Sequence, residues 1–117
     1  MSDFKDRLHL TEMLEAISDI ESDSDGLSEE TWVEIGSLVR SVSMSLIALG
    51  EGAAQLSPAL KEQAPDVPWS LIIGLRNRLA HAYFRADRHV IWEAATLHTP
   101  AIKIELARLL ALVGAND

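Results

Sequence analysis

Trp32, Ile35, Val39, Val42, Leu46, Leu49, Ala53 and Leu56 alternate three and four apart without a miss. Three and a half heptads of that spacing set all of them along one stripe of an α-helix, whereas a strand would scatter them over both faces. A stripe of that length needs a long helix against it, from the same chain or from a second subunit. The core helix of a small bundle is the simpler solution. Gly36 lies inside the run and is expected to split off a short first helix.

The flanking segments supply partners for that stripe. Over residues 3–21, Leu10, Met13, Leu14, Ile17 and Ile20 recur at helical spacing, with Asp3, Asp6, Glu12, Glu15 and Asp19 off the stripe. Residues 21–26, Glu-Ser-Asp-Ser-Asp-Gly, are expected to break this helix as an exposed turn. Their carboxylates lack the ordered ligand positions and closing glutamate of a calcium loop. Ser28 is placed to cap the next helix, Glu29 and Glu30 meet its positive end, and Leu27 can staple onto Trp32. Ser57-Pro58 opens a short turn that residues 65–68 end.

A further helix is expected from Pro68 or Trp69 to about Tyr83. Asp87 then caps one over residues 88–97. Thr99-Pro100 starts the last, with Ile102, Leu106, Leu109, Leu110 and Val113 as its buried face and Gly114 at its end. Trp69 and Trp92 belong to the core. No segment alternates as a strand would, and the 117 residues suffice for one core but not two. The expected fold is all-α: a single-domain antiparallel helical bundle of four to five main helices spanning 1–117.

Charge narrows the function. The chain carries a formal −8 and no cysteine, which excludes disulfides and thiolate metal sites and argues against general affinity for nucleic acid. The charge is unevenly spread. Residues 1–66 hold Lys5, Arg7, Arg40 and Lys61 against 14 acidic residues. Between 76 and 89, Arg76, Arg78, Arg85 and Arg88 face Asp87 alone. An acidic body with one basic window suits a selective phosphate or RNA contact, unless the arginines merely pair with the acidic half. No apolar run reaches the ~18 residues of a membrane span, and the first residues lack the apolar core of a signal peptide, so the expected location is the cytoplasm.

The basic window contains Arg76-Asn77-Arg78-Leu79-Ala80-His81-Ala82-Tyr83. At about 100° per residue, Arg76 and Tyr83 are nearly eclipsed, and Asn77 and His81 share a second stripe. Histidine titrates near neutrality and can take or give the proton of a ribose 2′-hydroxyl. Arginine can stabilise the extra charge on phosphorus. No carboxylate cluster is placed for a two-metal site, so cleavage is expected to need no metal, and no resident cofactor is expected. One histidine cannot serve as acid and base at once; a second His81 across a twofold axis would supply the other group. Asn77 is read as orienting His81 or the backbone, and Arg78 as a surface or phosphate-positioning cation. The plainer alternatives are a buried His81 satisfied by Asn77 and a core Tyr83 with its hydroxyl at the surface. His9, His89 and His98 are read as surface residues.

At these positions the chain resembles a known family. Pro68-Trp69, Ile72, Gly74, Arg76-Asn77, His81, Tyr83-Phe84, Asp87, Val90 and Trp92-Glu93 together look like a HEPN-domain protein of the HepT type, with Gly50-Glu51 as a further echo. The resemblance implies an all-helical homodimer whose Arg76 and His81 line a shared cleft, acting as a ribonuclease toxin on cellular RNA. It also implies a partner, a minimal nucleotidyltransferase (MNT) antitoxin that uses ATP to attach AMP to Tyr83. Met44 and Ile47 stand where the family often carries an arginine and an acid. That departure keeps open a second function: a non-catalytic helical dimer that binds a nucleotide or a transferase.

Overall fold

The computed structural model describes residues 2–115; Met1, Asn116 and Asp117, the ends of the expected domain, lie outside the described residues. The described residues are helical, without strands, as the patterning requires. The elements are α1 (Ser2–Ser24), α2 (Glu29–Trp32), α3 (Gly36–Gln55), α4 (Pro58–Glu62) and α5 (Trp69–Ala82). Next come a 3₁₀ turn (Tyr83–Arg85), α6 (Arg88–Glu93), a π-helical turn (Ala94–His98) and α7 (Thr99–Ala115).

The heptad stripe is the core of α3. Val39, Val42, Leu46, Leu49 and Ala53 are all buried, and the partner helix comes from the same chain: α1, through Leu10, Met13, Ile17 and Ile20. Each large apolar side chain so buried contributes roughly 1.5–3 kcal/mol. α3 packs on α1 along one side and on α5 along another, while α1 also carries α7. Two glycines make these approaches possible. A Cβ at Gly52 would lie 2.3 Å from Met13 Cγ of α1, and one at Gly50 would lie 2.3 Å from Arg76 Cβ of α5. The two positions are about 200° apart on the helix, so each serves a different neighbour.

Several sequence signals act as expected. Ser28 caps α2 by accepting from the Thr31 amide at 3.2 Å, and α3 restarts at Gly36. Ser57 caps α4 from Pro58 onward. Others are overruled. α1 runs three residues past Glu21 to Ser24, and Gly26, at φ 73°, makes the turn. Asp6 is not on a solvated face. It is 4% exposed, and its carboxylate accepts from the Ser57 amide at 2.9 Å and the Ser57 hydroxyl at 2.6 Å, fastening α1 to the α3–α4 corner.

Thr99-Pro100 starts α7 as expected, but no break separates that helix from α6. The chain is helical without interruption from Arg88 to Ala115, with the π turn just before Pro100. Proline has no N–H to donate and its ring crowds the carbonyl four residues back; a widened turn accommodates both. The buried Thr99 hydroxyl donates to the Ala94 carbonyl at 2.7 Å, consistent with that wider turn. Gly114 does not end α7, which continues to Ala115.

Candidate functional site

Pro68 sits at the N-cap position of α5 and Trp69 begins it, with the indole N–H donating to the Ala64 carbonyl at 3.1 Å. Ile72 and Leu79 are buried on the face toward α3, with Ile73 and Leu75 partly buried beside them. That face fixes the rotation of the helix and so decides where each motif residue points.

Arg76 lies at the edge of the buried face. Its side chain is 20% exposed, and Nη1 bonds the Glu51 carboxylate of α3. Nε is buried without a partner among the described residues. Gly50 admits the stem of Arg76 and Glu51, the next residue, takes its head. Adjacent residues of α3 therefore seat one arginine of α5. Glu51 is the site residue that sequence reasoning undervalued: Gly50-Glu51 registered only as an echo, because a pair 25 positions apart has no local signature.

His81 is exposed, as is Asn77 on the same stripe, so His81 is not a buried, satisfied histidine. Five helical positions separate Arg76 from His81, which sets them about 140° apart around α5. Within one chain the two are not brought together on one face. Arg78 is exposed on a third direction. There it borders an apolar cavity of about 110 Å³ lined mainly by Leu46, Leu71, Leu75 and Val90.

Tyr83 departs from expectation. α5 ends at Ala82, whose φ of −145° and ψ of 41° break the helical path, and Tyr83 opens a 3₁₀ turn. The 100° rule stops at that break, so the near-eclipse with Arg76 does not carry over. The ring is partly buried and meets Phe84 edge-on, with centroids 5.3 Å apart and planes at 71°. Tyr83 also lines a cleft with Arg40 and Arg88.

Of the four arginines in the basic window, Arg76 is the one with a carboxylate partner among the described residues; Arg88 donates instead to the Val33 carbonyl. The acidic half therefore does not neutralise the window. His89 is exposed but not idle. Nδ1 lies 2.9 Å from a Glu29 oxygen, Nε2 contacts Glu93, and its backbone amide donates to the Asp87 cap. The hydrogen bond that the His89 ring donates to the Glu29 carboxylate, and then the Glu29 charge, raise the His89 pKa above 6.5. Beside it Trp92 tilts onto the buried Trp32, with centroids 5.2 Å apart. His98 is exposed, and His9 lies 3.5 Å from Glu12.

Met44 and Ile47 lie on α3 seven and four residues before Glu51, on the stripe that leads to Arg76. Met44 is 62% exposed and Ile47 is partly buried. This wall is apolar up to the carboxylate. Among the described residues, no group of three or more histidine or acidic side chains is arranged around a metal site, and no helix is long and apolar enough to cross a membrane.

Comparison with known proteins agrees with the motif. A family model described as HepT-like, ribonuclease HepT-like, matches residues 13–109. A candidate RNase of Methanocaldococcus jannaschii is 26% identical over 108 residues, 92% of this chain and 89% of the relative. Another candidate RNase, from Caldanaerobacter subterraneus, is 32% identical over 85 residues, covering 73% and 76%. A probable ribonuclease HepT of Thermococcus cleftensis is 27% identical over 101 residues, covering 86% and 92%. No solved structure matches the chain.

Proposed function

The chain belongs to the HepT-like ribonuclease family, and from that premise we propose that it is the ribonuclease toxin of a HEPN/MNT toxin–antitoxin pair, acting on RNA in the cytoplasm. The observation that carries this reading is the disposition of α5. Arg76 is seated by Glu51 with part of its side chain in solvent, and His81 is exposed on a different face.

Their angular separation favours a dimer. Arg76 of one subunit and His81 of its mate can converge on one phosphate more readily than the two residues of one helix. In that cleft a neutral His81 accepts the proton of a ribose 2′-hydroxyl as its oxygen attacks phosphorus. The protonated His81 of the mate gives a proton to the departing 5′-oxygen, leaving a 2′,3′-cyclic phosphate. Arg76 stabilises the charge that accumulates on the phosphoryl oxygens. Asn77 and Arg78, exposed on the same helix, support the strand. No step requires a metal.

Tyr83 is the site of silencing. The MNT partner uses ATP, the Tyr83 hydroxyl attacks its α-phosphorus, and pyrophosphate leaves. The attached AMP adds bulk and negative charge close to the catalytic helix end.

Incubating the purified protein with RNA in excess chelator tests the catalytic reading. Wild type should cleave, and Arg76→Ala and His81→Ala should each lose about 10²–10⁴ in rate. Equal cleavage by wild type and His81→Ala would remove the claim. The exposed Met44 and the neighbouring Ile47 favour a second reading, a non-catalytic dimer that binds a nucleotide or the transferase. Growth arrest on expression without the partner, abolished by Arg76→Ala, counts decisively against it.

A further inference from the structure

We infer that the cleft beside Tyr83 is a subsite for one unpaired nucleotide, whose base stacks on Phe84 and whose phosphate lies between Arg40 and Arg88. The inference rests on the ribonuclease reading and adds a place where the strand is gripped away from the scissile bond.

Three observations converge there. The cleft, about 80 Å³, is walled by Arg40, Tyr83, Phe84 and Arg88 over the buried Val39 and Ile91. Arg40 has no hydrogen-bond or carboxylate partner among the described residues, and Arg88 spends one N–H on a neutral carbonyl. Two guanidinium groups thus share one cleft without a counter-charge, in a chain that carries −8. Phe84 is 93% exposed and meets no ring but Tyr83 among the described residues. A phenylalanine so bare, next to two uncompensated cations, matches how single strands are held: charge tracks the backbone and a ring receives a base. An acidic peptide would answer the arginines but offer no regular π-face to Phe84. Tyr83 and Phe84 follow His81 by two and three residues in the chain.

Fluorescence anisotropy of the full chain with a fluorescein-labelled single-stranded oligothymidylate of about eight nucleotides tests the assignment, because DNA lacks the 2′-hydroxyl and stays intact. Phe84→Leu and Arg40→Ala should each weaken binding about fivefold or more, and Phe84→Trp should stay within about twofold of wild type. Arg40→Ala should also flatten the salt dependence by about 0.7 in log–log slope, whereas Phe84→Leu should not. Lys103→Ala, which removes a cation on α7 paired to Glu21, should leave the affinity unchanged. Circular dichroism melts matching wild type exclude misfolding, since both residues are exposed. An equal loss in Lys103→Ala would reveal diffuse charge attraction and overturn the subsite. Unchanged affinity in all variants would overturn it too, leaving the cleft to a protein partner, and so would no binding by wild type. The catalytic reading is decided separately, by RNA cleavage in wild type and His81→Ala, so either idea can fail alone.

Discussion

Two side chains show how far position in sequence and position in space diverge. Asp6 falls on the apolar stripe of α1, four residues before Leu10 and seven before Met13, so its burial follows from spacing although its charge reads as solvated. What spacing does not give is its partner, since it receives two hydrogen bonds from Ser57, 51 positions away. Nothing local announces that pairing; it exists because α1 crosses the corner after α3. Asp6→Ala should leave the Ser57 amide and hydroxyl unpaired and cost about 2–3 kcal/mol, measured by urea unfolding. His89 gives the opposite lesson. Its exposure is legible, but its clamp between Glu29 and Glu93 depends on α6 folding back onto α2. Its pKa is raised in the folded chain above 6.5. The stabilisation is therefore fully present below about pH 6.5 and fades as pH rises through the folded value. Melting temperatures of wild type and His89→Gln should differ most at about pH 5.5 and draw together as the pH rises; a gap that widens with pH would show the linkage to be misassigned. Arg76 was recognisable from its motif, whereas the carboxylate that seats it was not, because a motif on one helix carries no record of the helix beside it.

Most elements were written in the apolar spacing, and their deviations have local causes. The α3 stripe, the Ser28 and Ser57 caps and the restart at Gly36 follow from period and capping chemistry. The break at Ala82 does not, since alanine is the best helix former and nothing in its type marks a turn. That break removed the expected alignment of Tyr83 with Arg76. At Thr99-Pro100 the start of α7 is legible, but the π turn that joins it to α6 without a gap is not. Two helical glycines, one on α3 and one on α5, make the packing testable. Gly50→Ala should force α5 outward, cost about 1–3 kcal/mol and displace Arg76. Gly74→Ala meets nothing within 4 Å and should stabilise α5 by about 0.5–1 kcal/mol. Thermal denaturation of the two variants should move in opposite directions; a shift of the same sign would contradict the observed contact.

The all-helical class of the whole molecule was plain from the lack of strand alternation, but its outline was not. The chain measures 45 × 29 × 21 Å with a radius of gyration of 14.3 Å, against roughly 13.4 Å for a globule of this length. The helices packed around α3 leave the outer face of α5 exposed. Negative charge predominates in α1 and α2, while uncompensated arginines gather from α5 to α6. Stopped-flow binding to single-stranded RNA should therefore slow about tenfold or more between roughly 50 and 200 mM salt, with a much smaller change in departure rate. A rate indifferent to salt would refute steering by this window. In the ribonuclease proposed above, the same asymmetry would govern the fate of a captured strand. An acidic body with one basic window would hold a polyanion at one rim, and the described residues offer no second uncompensated arginine cluster to carry it along. Each encounter should end in release rather than sliding, so cuts made by such a molecule would fall singly on many strands instead of in succession on one.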